Sequence, residues 1–126
     1  LASKQAYEQA EITPKDLDIV EVHDCFTINE LVAMEDLGIC KPGESKDWVR
    51  EERTTLKGEV PINTDGGLKA DGHPIGATGL AQVFEVTTQL RGEAGDRQVE
   101  GAEIGLTHNI GGVGGTAVIH IFERRG

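Results

Sequence analysis

No apolar run in this sequence approaches the ~20 residues needed to cross a bilayer, which excludes a helical membrane span. Cysteine is scarce: Cys25 and Cys40 are the only two. Two thiols do not make the disulfide framework of a small secreted domain, and they point to a reduced, cytoplasmic setting. Basic charge is short as well, with 12 Lys and Arg against 22 Asp and Glu and a net charge of −10. Nucleic-acid phosphates want a basic face, and so do anionic membranes, so neither is an expected partner. The first residues, Leu1-Ala2-Ser3-Lys4, have no signal-peptide pattern and no initiator Met, as a fragment or processed chain would read. No internal repeat is visible. What is present is 126 residues with 37% hydrophobic and 27% charged side chains, enough for one domain with a real core.

Glycine, by contrast, is plentiful and concentrated. The stretch Ile62–Gly79 places Gly66, Gly67, Gly72, Gly76 and Gly79 around a single histidine, His73. Pro74 fixes its own φ and drives His73 out of the helical region, so the imidazole is expected on a stiff, extended loop. A helix then begins near Gly76, and N–H groups at such a start can face an anion or a developing negative charge. A tight connection with an incidental histidine is the plain alternative. A second glycine-rich segment, His108–Gly115, reads as another turn.

The rest of the chain supplies the frame. Ala2–Ala10 is rich in helix formers, with Ala2, Ala6, Tyr7 and Ala10 on one face. Thr13 and Pro14 have the form of an N-cap and first helical position, opening only a short turn. Asp18–Val22 is a short β-branched strand ending on His23-Asp24-Cys25-Phe26. Thr27–Leu37 has helical periodicity, with a capping-box spacing from Thr27 to Glu30 and Gly38 as the C-terminal cap. Lys41–Gly58 has no convincing period and reads as a surface excursion, either covering a pocket or merely solvated. Glu59–Ile62 is a strand candidate. Ala77–Leu90 is a helix whose many apolar residues predict a wide buried face. Glu93–Glu100 is turn-rich, and Ala102–Thr107 and Thr116–Phe122 form an antiparallel hairpin. The expected class is a layered α/β domain spanning residues 1–126.

Three histidines, His23, His73 and His108, fall at strand ends or beside glycine-rich bends. Cys25 stands two residues from His23, on the same side of an extended chain. A cysteine and a histidine suffice for thiolate chemistry or proton transfer, and glycine-rich turns offer N–H groups for an oxyanion. A helix N-terminus beside the strand end lowers a thiol's pKa. A zinc site from His23, Cys25, His73 and His108 is conceivable, but Cys-x-x-Cys spacing is absent and no metal is expected. Cys25 taken alone reads as an inert buried thiol. Cys40 reads as structural, and His120 as a strand packing or edge residue.

These motifs in this order, His23-Asp24-Cys25-Phe26, then Gly66-Gly67 with Gly72-His73-Pro74-Ile75-Gly76-Ala77-Thr78-Gly79, then His108-Asn109-Ile110-Gly111-Gly112, resemble the C-terminal half of a thiolase. The closer resemblance is to the sterol-carrier-protein type, which includes bacterial and archaeal acetyl-CoA acetyltransferases. Leu90-Arg91-Gly92-Glu93-Ala94-Gly95 resembles that branch too. The resemblance implies a thiolase-like layered fold whose C-terminal domain has a mixed sheet flanked by helices, here without its first strand and helix and without the N-terminal domain. It implies acyl transfer between a nucleophilic cysteine and coenzyme A, with a coenzyme A thioester as substrate and no separate cofactor. It also implies an N-terminal thiolase domain or chain as partner, and a homo-oligomer.

By position, the resemblance makes His73 the activator of that nucleophile and a holder of the thioester oxygen. His23 supports the same oxyanion hole, and Cys25 moves the α-proton. Gly111, with Gly112 beside it, offers the N–H of a second oxyanion hole. Asn63, Gly66, Gly67 and Asn109 are substrate-loop candidates. Asn109 stands where many thiolases have a cysteine, which moves the acid/base role to Cys25. Neither Cys25 nor Cys40 has the nucleophile's context, so the isolated chain is expected to be inactive. A thiolase-fold carbon–carbon lyase acting on β-hydroxyacyl-CoA, and a non-catalytic acyl-CoA- or partner-binding subunit, are the alternatives.

Overall fold

The computed structural model describes all residues from Leu1 to Gly126. Three strands form one mixed sheet in the order β1 (Ile19–Val22), β2 (Ile104–Gly111), β3 (Thr116–Glu123). β1 pairs parallel to β2, with Val22 opposite His108, and β2 pairs antiparallel to β3 as the expected hairpin. Five helices accompany the sheet: α1 (Ala2–Ala10), α2 (Thr27–Asp36), α3 (Ser45–Arg50), α4 (Gly67–Asp71) and α5 (Thr78–Leu90).

Strand alternation divides the core. Val20 and Val22 join the larger cluster with Tyr7, Ala33, Met34, Leu37 and Trp48, on the side of α2 and α3. Ile19 turns the other way, to Val86, Leu90, Val99 and Ala102 on the side of α5. Tyr7 ties α1 to the end of α2, its hydroxyl donating to the Leu37 carbonyl at 2.9 Å. Burial pushes that phenol up to about 12.

Several sequence expectations are corrected. The excursion Lys41–Gly58 contains α3, whose Trp48 is buried under the guanidinium of Arg53 at 3.7 Å. A six-residue helix with two buried side chains is too short to leave a period in the sequence. Glu59–Ile62 is not a strand; a single bridge joins Ile62 to Val20. Pro61 has no N–H for a ladder, and the Ile62 N–H goes to Thr54. The capping box at Thr27 and Glu30 does not form: Phe26 is the N-cap of α2, with no side-chain cap bond. A capping box does form before β1, in the short turn at Pro14–Asp16, where the Thr13 N–H and hydroxyl both meet Asp16 Oδ2 at 2.7 Å. His108 and Asn109 lie within β2 rather than in the turn, which begins only at Gly112.

The largest correction concerns α5. Its buried side presents Thr78, Gln82, Glu85, Val86, Gln89 and Leu90, while Leu80 and Phe84 are each 71% exposed. The polar residues 78, 82, 85 and 89 recur at helical spacing as regularly as the apolar ones do. Their burial is sustained by hydrogen bonds. Gln82 Nε2 donates to the His108 carbonyl at 3.0 Å, and Gln89 donates to Arg97 O at 2.7 Å while accepting from Val99 N at 2.8 Å.

Candidate functional site

β1 ends at Val22, and the chain turns through His23–Phe26 into α2. Side chains fix this turn from opposite sides. The Val22 N–H donates to Asn63 Oδ1 at 2.8 Å, and the Leu68 N–H in the first turn of α4 donates to Asp24 Oδ1 at 2.9 Å. Gly67, at φ +60°, fits between these anchors: a Cβ there would stand 2.6 Å from Asp24 Oδ2 and 2.9 Å from Asn63 Nδ2. Asn63 itself is left-handed at φ 50°, a conformation asparagine tolerates better than most residues. Two segments distant in sequence are thereby locked edge to edge.

The lock brings two imidazoles together. The rings of His23 and His73 meet edge to face, with centroids 4.9 Å apart at 83°. His23 is buried, and its Nδ1–H donates to Asn109 Oδ1 at 2.6 Å. Asn109 reaches it across the start of α5 at Gly79, where a Cβ would stand 2.5 Å from Asn109 Nδ2. His73 lies on the exposed loop after α4, with Nδ1 2.6 Å from Thr78 Oγ1. Cys25 is half-buried in the same turn as His23; its sulfur accepts from Asn29 Nδ2 at 3.0 Å. The Cys25 carbonyl takes a bond from Lys69 Nζ in α4 at 3.4 Å. Gly111 is the last residue of β2, opposite Thr116, and Gly112 opens the exposed turn. Gly66 is left-handed at φ +100°, and a Cβ there would stand 2.6 Å from Ala70 Cβ. His108 lies on the central strand of the sheet, opposite Val22. Its Nδ1 has no partner, and burial, aided by the charge of His23, pulls its pKa down against the opposing pull of Asp36.

Behind the His73 loop lies a cavity of about 90 Å³, lined by Glu21, Asp65, Asp71, Thr78 and Gln82 among others. Glu21 is fully buried, and burial first, then the charge of Asp65, pushes its carboxyl well above the usual range. Burial, with Asp71 alongside, raises Asp65 to about 6 even though its Oδ1 accepts from the Gly67 N–H at 2.8 Å. Burial also pushes Glu85 up, but bonds from Arg97, Gln89 and Thr64 outweigh it and hold that carboxyl below its ordinary value. No three His, Cys, Asp or Glu side chains converge to hold a metal ion.

An imidazole and a thiol at a strand-to-helix turn, with a second imidazole brought in from the loop after α4, can pass protons and support charge on an oxygen. Sequence reasoning named His23, Cys25 and His73 as site candidates but not the residues around them, Asp24, Asn29 and Thr78. Asn29 stands one helical turn beyond Cys25, and Thr78 closes the same motif that contains His73. Those spacings were the available signals. Cys40, by contrast, is buried under α2 and α3, with a thiol pushed up by burial and by Glu35 and Glu44.

A family model described as thiolase C-terminal domain-like matches residues 1–124. The chain is 59% identical over 123 residues to an acetyl-CoA acetyltransferase of Methanothermobacter thermautotrophicus, covering 98% of this chain and 32% of that protein. It is 48% identical over 122 residues to sterol carrier protein 2 of Homo sapiens, covering 97% of this chain and 22% of that one. It therefore spans a third or less of the length of these relatives. Among solved structures, one described as an Ltp2-ChsH2(DUF35) aldolase superposes with a TM-score of 0.83 at 28% identity, over 99% of this chain and 31% of the other.

Proposed function

The chain belongs to the thiolase C-terminal domain-like family, and from that premise we propose that it supplies one half of a thiolase active site. In this reading the nucleophilic cysteine comes from an N-terminal thiolase domain or chain, and the substrate is a coenzyme A thioester. That thiolate attacks the β-keto carbonyl, the bond between the α- and β-carbons breaks, and Cys25 gives a proton to the departing acetyl-CoA carbanion. Coenzyme A then gives its thiol proton to the Cys25 thiolate and takes the acyl group from the enzyme cysteine, which leaves as the thiolate that His73 first generated. His73, carrying the proton taken from the enzyme cysteine, faces the thioester oxygen, His23 supports that site through water, and the Gly111 N–H faces the second oxyanion.

The observation that carries this reading is the 4.9 Å pairing of His23 and His73, each ring anchored through Nδ1 by its own side chain. Two histidines from turns 50 residues apart are brought ring to ring, beyond what a tight connection requires. The exposed apolar side chains support a covering partner: Phe26, Ile75, Leu80 and Phe84 stand in solvent on the loops and helices around the pair. The test is acetoacetyl-CoA cleavage dependent on free coenzyme A. We expect turnover from the full-length protein, none from the 126-residue chain alone, and loss in His73→Ala. Turnover by the isolated chain would sink the proposal.

The likeness to an aldolase structure favours a second reading, a carbon–carbon lyase on β-hydroxyacyl-CoA. Such relatives tend to replace one of the two histidines, and both stand here. Cleavage of a β-hydroxyacyl-CoA without consumption of free coenzyme A would select the lyase.

A further inference from the structure

Thr78 is almost fully buried, 3% exposed, in the first turn of α5, yet its hydroxyl is turned toward the loop rather than the core. Its Oγ1 has two neighbours: His73 Nδ1 at 2.6 Å and the Pro74 carbonyl at 3.3 Å. The carbonyl only accepts. A threonine hydroxyl has one proton and two lone pairs. A threonine in a helix's first turn commonly gives its proton to the carbonyl four residues back, here Pro74, and Oγ1 then accepts from His73 Nδ1–H at the shorter 2.6 Å contact. From this arrangement we propose that Thr78 is a positioning residue that holds neutral His73 as its Nδ1–H tautomer, leaving the Nε2 lone pair free to take a proton.

The consequence for chemistry is direct. Free histidine in water prefers the Nε2–H tautomer, whose Nε2 cannot act as a base. A base oriented by a third group is the recurrent logic of activated nucleophiles. Here the third group is a neutral hydroxyl rather than a carboxylate, so it selects the tautomer without adding a charge. Pro74 contributes twice: it removes His73 from helical conformation, and its carbonyl, which also accepts from Ala77 N and Thr78 N, receives the hydroxyl proton. The same selection operates on the neighbouring ring, where Asn109 Oδ1 can only accept from His23 Nδ1. The catalytic part of the inference rests on the thiolase reading; the tautomer does not.

The experiment is long-range ¹H–¹⁵N correlation spectroscopy of ring-labelled histidine in the full-length protein, at a pH where His73 is neutral. The His73 signal is assigned by its disappearance in His73→Gln. We expect the Nδ1–H pattern in the wild type, conversion to Nε2–H in Thr78→Val, and retention in Thr78→Ser. In the coenzyme A-dependent assay, Thr78→Val is expected to lose about 100-fold in kcat with little change in KM, and its pH profile is expected to shift, while Thr78→Ser keeps most of the rate. An Nε2–H pattern in the wild type, or an unchanged pattern in Thr78→Val, overturns the proposal whatever the activity. The expected tautomers in a protein without thiolase turnover would leave the tautomer selection standing and remove the thiolase reading instead.

Discussion

The two glycine-rich stretches look alike as sequence and are opposites in space. Around His73, three of the five glycines are held by neighbours: a Cβ at Gly66, Gly67 or Gly79 would press into Ala70, Asp24 or Asn109 at 2.6, 2.6 and 2.5 Å, while Gly72 and Gly76 have open space. In the turn from Gly112 to Gly115, a Cβ at Gly112, Gly114 or Gly115 would meet nothing within 4 Å. The first stretch uses the missing side chain as space, so that polar anchors can reach two histidines. The second uses glycine only to bend the backbone between β2 and β3. Glycine density marks a possible site, and only contact shows whether the glycine serves packing or bending.

Gly67→Ala puts this difference under the greatest strain. The new methyl would need φ +60° and would displace Asp24 from Leu68 and crowd Asn63, opening the lock between the two loops. Overpacking and a left-handed alanine together predict a loss of about 3 kcal/mol in urea unfolding. A loss under about 0.5 kcal/mol, the range of an ordinary surface change, would show that the first stretch is as loose as the second.

Gly79→Ala separates stability from site geometry. Gly79 is helical and not left-handed, and alanine in place of a helical glycine gains about 1 kcal/mol in propensity. The methyl collides only with the tip of the Asn109 side chain. Stability is expected to be unchanged or slightly raised, while Asn109 is pushed off His23 and the coenzyme A-dependent turnover proposed above falls about 100-fold. A fall in melting temperature with full activity would reverse the assignment of that glycine.

How much of this was legible follows from the same contrast. Helical and strand periods gave α1, α2, α5 and the hairpin, because each buries enough apolar surface to leave a pattern. α3 and α4 were not legible: each is a turn or so long, set by Trp48 in one case and by Asp24 and Gly67 in the other. His23, Cys25 and His73 were legible as residue types at turns, but their supports were not. The Asn109–His23 bond joins residues 86 apart, which no local spacing encodes, whereas Thr78 stands five residues from His73 in one motif. The wide buried face expected of α5 failed for a related reason. Apolar residues at helical spacing say that a face is covered, not by what, and here the buried side mixes Thr78, Gln82, Glu85 and Gln89 with Val86 and Leu90.

A charge distinguishes the two stretches as well. Asp65 has a raised pKa, about 6 against an ordinary 3.8, so the folded chain holds a proton there that the unfolded chain has released. The stability this contributes is complete below 3.8 and is lost as pH rises through about 6. Glu21 acts in the same direction and His108 in the opposite one, losing stability as pH falls through its ordinary 6.5, so the total curve mixes them. Asp65→Asn isolates one contribution, since an amide oxygen can still accept from the Gly67 N–H. The variant is expected to match the wild type in acid and to exceed it by about 1 to 2 kcal/mol in neutral solution, discounted for partial exposure. A constant difference between urea midpoints across that range would mean that Asp65 titrates as an ordinary surface carboxylate.

The smallest effect tests the other stretch. Gly114 sits at φ +89°, while Gly115, next to it, has no left-handed requirement and open space around its Cβ. If bending alone explains glycine in this turn, neighbouring alanines must differ in sign. Gly114→Ala is expected to cost about 1 kcal/mol through the left-handed backbone. Gly115→Ala is expected to gain about 0.4 to 1 kcal/mol, because alanine narrows the unfolded ensemble and meets no obstacle in the folded one. Denaturant midpoints of the two variants, measured side by side, decide it. Equal losses at both positions would mean that something packs against this turn, and the distinction between a glycine held by its neighbours and one that only bends the chain would fail where it was drawn most simply.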